Sequence, residues 1–429
     1  MAVICLDFGT SAIRAAVRDN SGRLTPLILN RRPSIDNASI PSAYAYSDGR
    51  LYFGEAAIAR HSAAPAQTVL DTSPKSWFFC DKLDQIDTRI PECEVTRFEA
   101  IAGLVAISAS KALAEGRKHV RTGQMMFRIA HPIWGSYGKS SVYTRYDILV
   151  TLATGDLGSS LDWTVPVAEF RDWCRSSLDR HRGKPDRPIP DAEEPVAAAM
   201  ELMGAPQPNR RNPVLVVDIG AGTTDFAVFQ HVLPDRTSRK TRKLYQLGDP
   251  LSVQSAGDAL DRILLQIAAE GLATRAGNEL KSFEGQLRQN KERLFRESSL
   301  ALPGSRELQL DTFESHGSVR QFAATLKEAT RTMVASAPIP RGSGAHQNDQ
   351  LGVIYAGGGG SIPFIRSAVE RGIRSADPRL TPFLYEYSRP DGYAVTASYE
   401  RMAVAMGGTR PKDEWPQGLT RAASYPGLG

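Results

Sequence analysis

Two stretches of this chain, about two hundred residues apart, share one pattern that restricts the fold more than anything else in it. Val3-Ile4-Cys5-Leu6-Asp7-Phe8-Gly9-Thr10-Ser11 continues into Ala12-Ile13-Arg14-Ala15-Ala16-Val17. Val214-Leu215-Val216-Val217-Asp218-Ile219-Gly220-Ala221-Gly222-Thr223-Thr224-Asp225 continues into Phe226-Ala227-Val228-Phe229. Each is an apolar run, an Asp, a glycine/threonine turn and a second apolar run, which predicts a β-hairpin with a polar tip. Such a tip aims several backbone N–H groups and a hydroxyl at one point, a nest suited to phosphate oxygens. Glycine lets that backbone approach closely. Asp7 and Asp218 end their strands where a carboxylate could face the same point. Carboxylate and phosphate repel unless a cation lies between them, so the pattern implies Mg²⁺ held through its waters.

One such turn is as readily a plain hairpin. Here a third turn follows the two. Gly352-Val353-Ile354-Tyr355-Ala356 reads as a buried strand, runs into Gly357-Gly358-Gly359-Gly360-Ser361, and gives way to a helix opening at Ile362-Pro363. Proline suits a first helical turn, where its missing N–H costs nothing. Two hairpin tips for phosphates and a later turn for a nucleoside make a split nucleotide site.

Between the markers, Phe98, Ile101, Leu104, Val105, Ser108 and Leu113 keep a helical spacing that predicts an amphipathic helix over about 97–118. Phe127-Arg128-Ile129-Ala130 reads as a strand ending at Pro132, and residues 258–295 as helical with breaks near Gly271 and Gly277. From Thr409 onward three prolines and three glycines predict a frayed tail. A length of 429 residues gives two or three lobes. The strand-and-helix alternation in two halves predicts α/β lobes meeting at a cleft.

Several function classes fall away. No apolar run approaches the ~18 residues of a membrane span, so no membrane insertion is expected. Ala2-Val3-Ile4-Cys5-Leu6 stops at Asp7 without a basic leader, the pattern of a first strand rather than a signal peptide. Cys5, Cys80, Cys93 and Cys174 show no metal-ligand spacing, which predicts reduced thiols in a cytoplasmic protein. The net charge of +5 is spread along the chain, and nucleic-acid binding is not favoured.

The three glycine turns carry a resemblance. Asp7-Phe8-Gly9-Thr10-Ser11 resembles the first phosphate motif of the actin and sugar-kinase ATPase superfamily, Asp218 through Asp225 its second, and Ala356 through Pro363 its adenosine motif. Glu193-Glu194-Pro195-Val196-Ala197-Ala198-Ala199 is similar to the connecting helix of the seventy-kilodalton heat-shock protein family. Ile40-Pro41-Ser42 with Tyr44, Ser255-Ala256-Gly257-Asp258 and Ala403-Val404-Ala405-Met406-Gly407 resemble further strings of that family, in the same order, over about residues 1–408.

The resemblance implies an actin-like ATPase fold, two lobes of duplicated ribonuclease-H-like topology flanking a nucleotide cleft. Lobe I would be 1–210, with a subdomain at about 32–96 and an insertion at about 136–185. Lobe II would be 211–408, with a helical upper subdomain at about 257–325, and 409–429 a flexible tail. It implies ATP/ADP and Mg²⁺ as ligands and slow hydrolysis driving a conformational switch, chaperone-related, with a protein partner or co-chaperone and a monomeric state. Gly9, Thr10, Ser11, Gly220, Gly222 and Thr223 would hold phosphates, and Gly257, Lys291, Gly357, Gly358 and Gly359 the rest of the nucleotide. Asp7, Glu194 and Asp218 would orient the waters of Mg²⁺. Asp218 or Asp225 would polarise the attacking water, with Thr223 beside them, and Lys75 would reach the γ-phosphate. Three of these residues also admit plainer readings: Lys75 as an exposed loop lysine, Glu194 as an acid complementing a helix dipole, and Lys291 as part of a solvated helix face.

The chain departs from the family at several positions. An arginine, Arg288, falls near the family's acidic ribose contact, and Phe295 near its serine beside the adenine. Ser361 stands where the family has an arginine beside the base. The stretch between Pro132 and Pro195, with Val150-Thr151-Leu152 and Trp163, Phe170 and Trp173, is longer than the pattern needs; it is either an elaboration of lobe I or a docking element. Arg236, Arg239, Lys240, Arg242 and Lys243 beside Asp235 form a basic hairpin tip, either solvated or facing an acidic partner. With only about twenty residues after Gly408, a peptide-binding domain is not expected. An actin-like assembling ATPase, a small-molecule kinase and a nucleotide-binding scaffold with little turnover are the competing readings.

Overall fold

A computed structural model describes residues 1–30, 37–79, 82–87, 94–120, 125–132, 146, 148–149, 161–177, 192–203, 212–232, 243–270, 277–340, 349–385, 399–411 and 414–419. The architecture is mixed α/β. The first half runs β1 (Ala2–Phe8), β2 (Ala12–Arg18), β3 (Leu24–Pro26), β4 (Ser39–Pro41), β5 (Tyr44–Ser47), β6 (Arg50–Phe53), α1 (Glu55–Ala63), β7 (Val69–Asp71), a 3-10 turn (Pro74–Phe79), α2 (Arg97–Gly116), β8 (Met125–His131), β9 (Thr164–Pro166), α3 (Val167–Ser177), β10 (Ala192–Glu193) and α4 (Glu194–Leu202). The second half begins with β11 (Val214–Ile219), β12 (Thr224–Val232), β13 (Lys243–Leu247), β14 (Leu251–Val253), α5 (Gly257–Ala269), α6 (Gly277–Glu284), α7 (Leu287–Glu297), β15 (Ser299–Leu302) and β16 (Arg306–Gln309). It ends with α8 (Leu310–Ser315), α9 (Gly317–Ser336), β17 (Asp349–Ala356), α10 (Pro363–Ala376), β18 (Leu380–Leu384), α11 (Tyr399–Gly407) and β19 (Gln417–Leu419).

The two main sheets repeat one topology. In the first, β1 and β2 form an antiparallel hairpin, β3 continues antiparallel beyond β2, and β8 and then β10 lie parallel on the other side of β1. In the second, β11 and β12 form the hairpin, β13 lies antiparallel beyond β12, and β17 and β18 lie parallel beside β11. The central strands are apolar except for Asp7 and Asp218 near their ends, as strands covered on both faces require; β1 and β11 are buried at every residue.

Each sheet has its own core, and a third joins them. Helix α2 packs Ile101, Leu104 and Val105 with Ile4, Leu6 and Phe8 of β1. A capping box starts it: Glu99 N–H donates to Thr96 Oγ1 at 3.2 Å, and Thr96 N–H donates back to the Glu99 carboxylate at 2.7 Å. In the second half α9 and α10 supply Leu326, Met333, Ile365 and Val369 against Leu215, Val217 and Val353. The third core is alanine-rich: Ala197 and Ala198 of α4 and Ala403 and Ala405 of α11 pack with Cys5 and Ala130 of the first sheet and Val214, Val216 and Ile354 of the second. Small residues let these two helices nearly touch. A Cβ on Gly407 would stand 1.8 Å from the Ala197 carbonyl oxygen.

Several expectations hold with sharper bounds. The predicted helix over about 97–118 is Arg97–Gly116, the strand at 127–130 extends over Met125–His131, and the helix at Pro363 begins there. The helical stretch after 258 closes at Ala269 and resumes at Gly277, but it also breaks between Glu284 and Leu287, at Gly285, where no break was expected. The tail expected to fray is ordered near its start: Arg128 Nη1 donates to the carbonyls of Gly408 and Arg410, at 2.9 and 2.6 Å, its guanidinium lies over Trp415, and β19 pairs in parallel with β13. Arg128 itself is nearly inaccessible, so those carbonyls supply partners that a buried guanidinium cannot do without.

In the longer stretch before Pro195, residues 161–177 elaborate the first half. Strand β9 extends the β7-β5-β6 sheet, and Phe170 lies between Phe53 and Trp173. Val150-Thr151-Leu152, Asp235, Arg236, Arg239, Lys240, Arg242, Cys80 and Cys93 lie outside the described residues, while Cys5 and Cys174 are buried free thiols. Among the described residues no helix is long and apolar enough to cross a membrane.

Candidate functional site

The hairpin tips meet. A Cβ built on Gly222 would lie 2.6 Å from Thr10 Oγ1, so the tip of the β11–β12 hairpin touches the tip of the β1–β2 hairpin. Sheet register then puts acids beside both. Asp7 pairs with Ala130 of β8, and Glu194 follows β10, which lies parallel to β8. Asp218 pairs with Ala356 at the end of β17 and, across its own hairpin, with Asp225. Asp7, Glu194, Asp218 and Asp225 are all at least nine-tenths buried.

Lys75 enters from the 3-10 turn after β7 and forms an ion pair with Glu194. It is 3% exposed, which excludes an exposed loop lysine. Its ammonium also stands 5.9 Å from the centre of the Phe8 ring. Asp71 holds the turn in place by accepting from Ser73 N–H at 3.0 Å and from Trp77 Nε1 at 2.7 Å, with the Arg97 guanidinium 4.0 Å over the Trp77 ring.

Burial and crowding raise the acids' proton affinity. Desolvation comes first and the negative Glu194 second in lifting Asp7 to about 7, with Lys75 and Arg14 opposing. Desolvation, Glu194, Asp225 and Asp7, in that order, raise Asp218 well above the carboxylate range. Asp225 is lifted to about 7 by desolvation and then Glu194, against hydrogen bonds from Ser252 and Thr223 and the charge of Lys75. Thr223 Oγ1 donates to Asp225 Oδ2 at 2.9 Å. Four buried carboxylates around one lysine leave an excess of negative charge, which suits a cation. Among the described residues no three His, Cys, Asp or Glu side chains are grouped closely enough to hold an ion directly. Any divalent ion here would be held through water, the arrangement Mg²⁺ tolerates best.

The remaining expected residues extend from this centre. Gly257 N–H donates to the Gly220 carbonyl at 3.1 Å and Asp258 N–H to the Ala221 carbonyl at 2.7 Å, which docks the start of α5 on the second tip. Lys291 of α7 donates to the Gly257 carbonyl and pairs with Asp261, both at 2.8 Å. Gly357 has φ +72°, and a Cβ there would meet the Ile219 carbonyl at 2.4 Å and Asp218 Oδ1 at 2.6 Å. Only glycine fits. Gly359 N–H donates to the Ile219 carbonyl at 3.1 Å, whereas Gly358 is open to solvent. Gly9 and Ser11 complete the first tip, where the Ser11 carbonyl accepts from Ser42 N–H at 3.1 Å.

One residue joins the halves in a way its sequence position did not announce. Arg288 of α7 donates through Nη1 to the Ser11 carbonyl at 2.9 Å, and its other nitrogen stands 3.9 Å from Asp258. Helical spacing was the available signal, because Arg288 and Lys291 are three residues apart on one face. No family model matches this chain, and no curated protein matches it by sequence.

Proposed function

We propose that this chain binds and slowly hydrolyses ATP with Mg²⁺ on an actin-like fold of two ribonuclease-H-like lobes, 1–210 and 211–408, as a module of the seventy-kilodalton heat-shock type. The switch between states would be relative movement of the lobes, passed to a protein partner or co-chaperone. The observation that carries the reading is the meeting of the tips: Gly222 against Thr10, with Asp7, Glu194, Asp218, Asp225 and Lys75 buried around the contact. The repeated strand order supports it, because it presents the same carboxyl-end hairpin tip twice.

In this reading Thr10, Ser11, Gly222 and Thr223 hold the β- and γ-phosphates, with backbone N–H groups as donors. Asp7, Glu194 and Asp218 hold Mg²⁺ through water, and the ion neutralises charge on the phosphates. Lys75 supplies positive charge at the γ-phosphate end. Asp225, whose affinity for a proton is set near neutrality, accepts the proton of the attacking water, and Thr223 fixes the direction of its carboxylate. Asp218 is the alternative acceptor.

Phosphate release from ATP, measured with and without Mg²⁺, tests the reading. Wild type should require the ion, and Asp218→Ala and Lys75→Ala should each slow release by about 10²-fold, the scale of a lost charge-stabilising group. Absence of ATP binding by calorimetry sinks it. A binding scaffold with little turnover has one observation in its favour, the engagement of Lys75 by Glu194. ATP recovered intact after long incubation with saturated protein would select that reading.

A further inference from the structure

The element that delivers Lys75 is weak by itself. Pro74–Phe79 is a run of six residues wound as a 3-10 helix, whose hydrogen bonds are poorly aligned and which seldom runs so long unaided. With about three residues per turn, positions 75 and 77 point to different sides of its axis. Lys75 points to Glu194, and Trp77 points to the start of α2. A small rotation about that axis would swing the ammonium off its target. Phe78 buries its ring in the first core, but apolar burial has no preferred direction. The contacts of Trp77 do: Nε1 donates to Asp71 Oδ2 at 2.7 Å, and the Arg97 guanidinium lies over the ring face, 4.0 Å from its centre.

Arg97 is itself held. Its Nη1 donates to the Lys82 carbonyl at 3.2 Å, and its Nη2 stands 3.7 Å from Asp87 Oδ1. The Tyr44 hydroxyl donates to the other Asp87 oxygen at 3.4 Å, and Tyr44 lies across from Asp71 in the β5–β7 pair. Asp71, Trp77, Arg97, Asp87 and Tyr44 thus form a closed ring of contacts around the foot of the turn. Asp71, Asp87, Arg97 and Tyr44 are buried, where an ion that loses its partner is strongly disfavoured, so the ring holds together. We propose that Trp77, clamped between Asp71 and Arg97, is a positioning residue for Lys75: it touches no ligand and sets where the ammonium lies when the γ-phosphate arrives. The assignment rests on the nucleotide reading above. In the ligand-free protein Lys75 rests on Glu194, and its own torsions carry the ammonium to a phosphate only from a fixed backbone. A misplacement of about 1 Å can slow a reaction by about 10²-fold.

Two conservative variants test the clamp on the full chain. Trp77→Phe keeps a ring for Arg97 and removes the bond to Asp71; Arg97→Lys keeps the charge beside Asp87 and removes the flat face that lies on Trp77. In phosphate release from Mg-ATP each should lower kcat by about tenfold and change KM by less than about twofold, the pattern of an interaction made only in the transition state. Introduced into Lys75→Ala, neither should slow release by more than a further twofold or so, because no ammonium is left to aim. A role in folding alone would not depend on Lys75. Additive losses in the Lys75→Ala background, an unchanged kcat in both variants, or Mg-ATP affinity by calorimetry that falls in step with turnover overturns the assignment alone. Wild-type protein that binds no Mg-ATP, or that releases phosphate no faster than Lys75→Ala, overturns the reading of the site and this assignment with it.

Discussion

The two hairpins share a topology and differ in the residue that stands across from the acid. In the first, Asp7 stands opposite Arg14; in the second, Asp218 stands opposite Asp225. Arg14 opposes the rise in Asp7's proton affinity, whereas Asp225 adds to the rise at Asp218. Cross-strand neighbours on one face are close enough for that single exchange to matter. In the reading proposed above, the first hairpin holds an anion and a metal's waters and the second takes up a proton. A repeated topology set out two equivalent positions, and the residue across from each acid gave them different charge.

The largest effect should break the equivalence outright. Asp225→Asn should slow phosphate release by about 10²–10³-fold, while Arg14→Gln should slow it by less than about tenfold. Single-turnover measurements at saturating ATP make the comparison, and equal losses would mean that the hairpins share the work evenly.

Glycine substitutions probe the tips at smaller cost. A Cβ at Gly9 would meet the Ala12 carbonyl of its own hairpin at 2.6 Å, whereas one at Gly222 would meet the Thr10 hydroxyl of the other. Backbone cannot move aside as a side chain can. Gly9→Ala should therefore cost about 1–3 kcal/mol in urea unfolding. Gly222→Ala should cost less stability but weaken Mg-ATP by about tenfold, because Thr10 is displaced.

The smallest effect is on stability against pH. A carboxyl with an ordinary affinity near 3.8 that is raised to about 7 in the fold keeps a proton that the unfolded chain has already released. Stability of the ligand-free protein should then fall as pH rises from about 4 to about 7 and level off above. Asp225→Asn should remove part of this fall, leaving the variant about 1–2 kcal/mol more stable than wild type at pH 8 and no more stable at pH 4. Chemical denaturation at the two values checks it; a wild type more stable at pH 8 than at pH 4 would contradict the assigned direction.

Much of the site was legible because it is local. Asp7, Thr10, Asp218, Thr223 and Asp225 sit within a few residues of their glycine turns, and hairpin geometry fixes them without help from elsewhere in the chain. Glu194 and Lys75 required the resemblance, since they are separated by 119 positions and meet only in the folded protein. Arg288 had only its helical spacing with Lys291 as a mark. What it bonds depends on how α7 lies against the first tip, and one polar helix face looks much like another in sequence. The ordered tail was missed for a similar reason: proline and glycine content says nothing of a buried arginine 280 residues away whose partners are the tail's carbonyls.

By itself the sequence determined the two apolar hairpins, the acids that end their first strands and the third glycine turn, because alternation, strand length and glycine spacing are short-range properties of the chain. Tertiary structure alone decided that the two tips touch, that four carboxylates lie around one lysine, and that α7 reaches the first tip through Arg288. Those are long-range contacts. Burial shifts a carboxyl's proton affinity only once residues from distant parts of the chain have together excluded water from it.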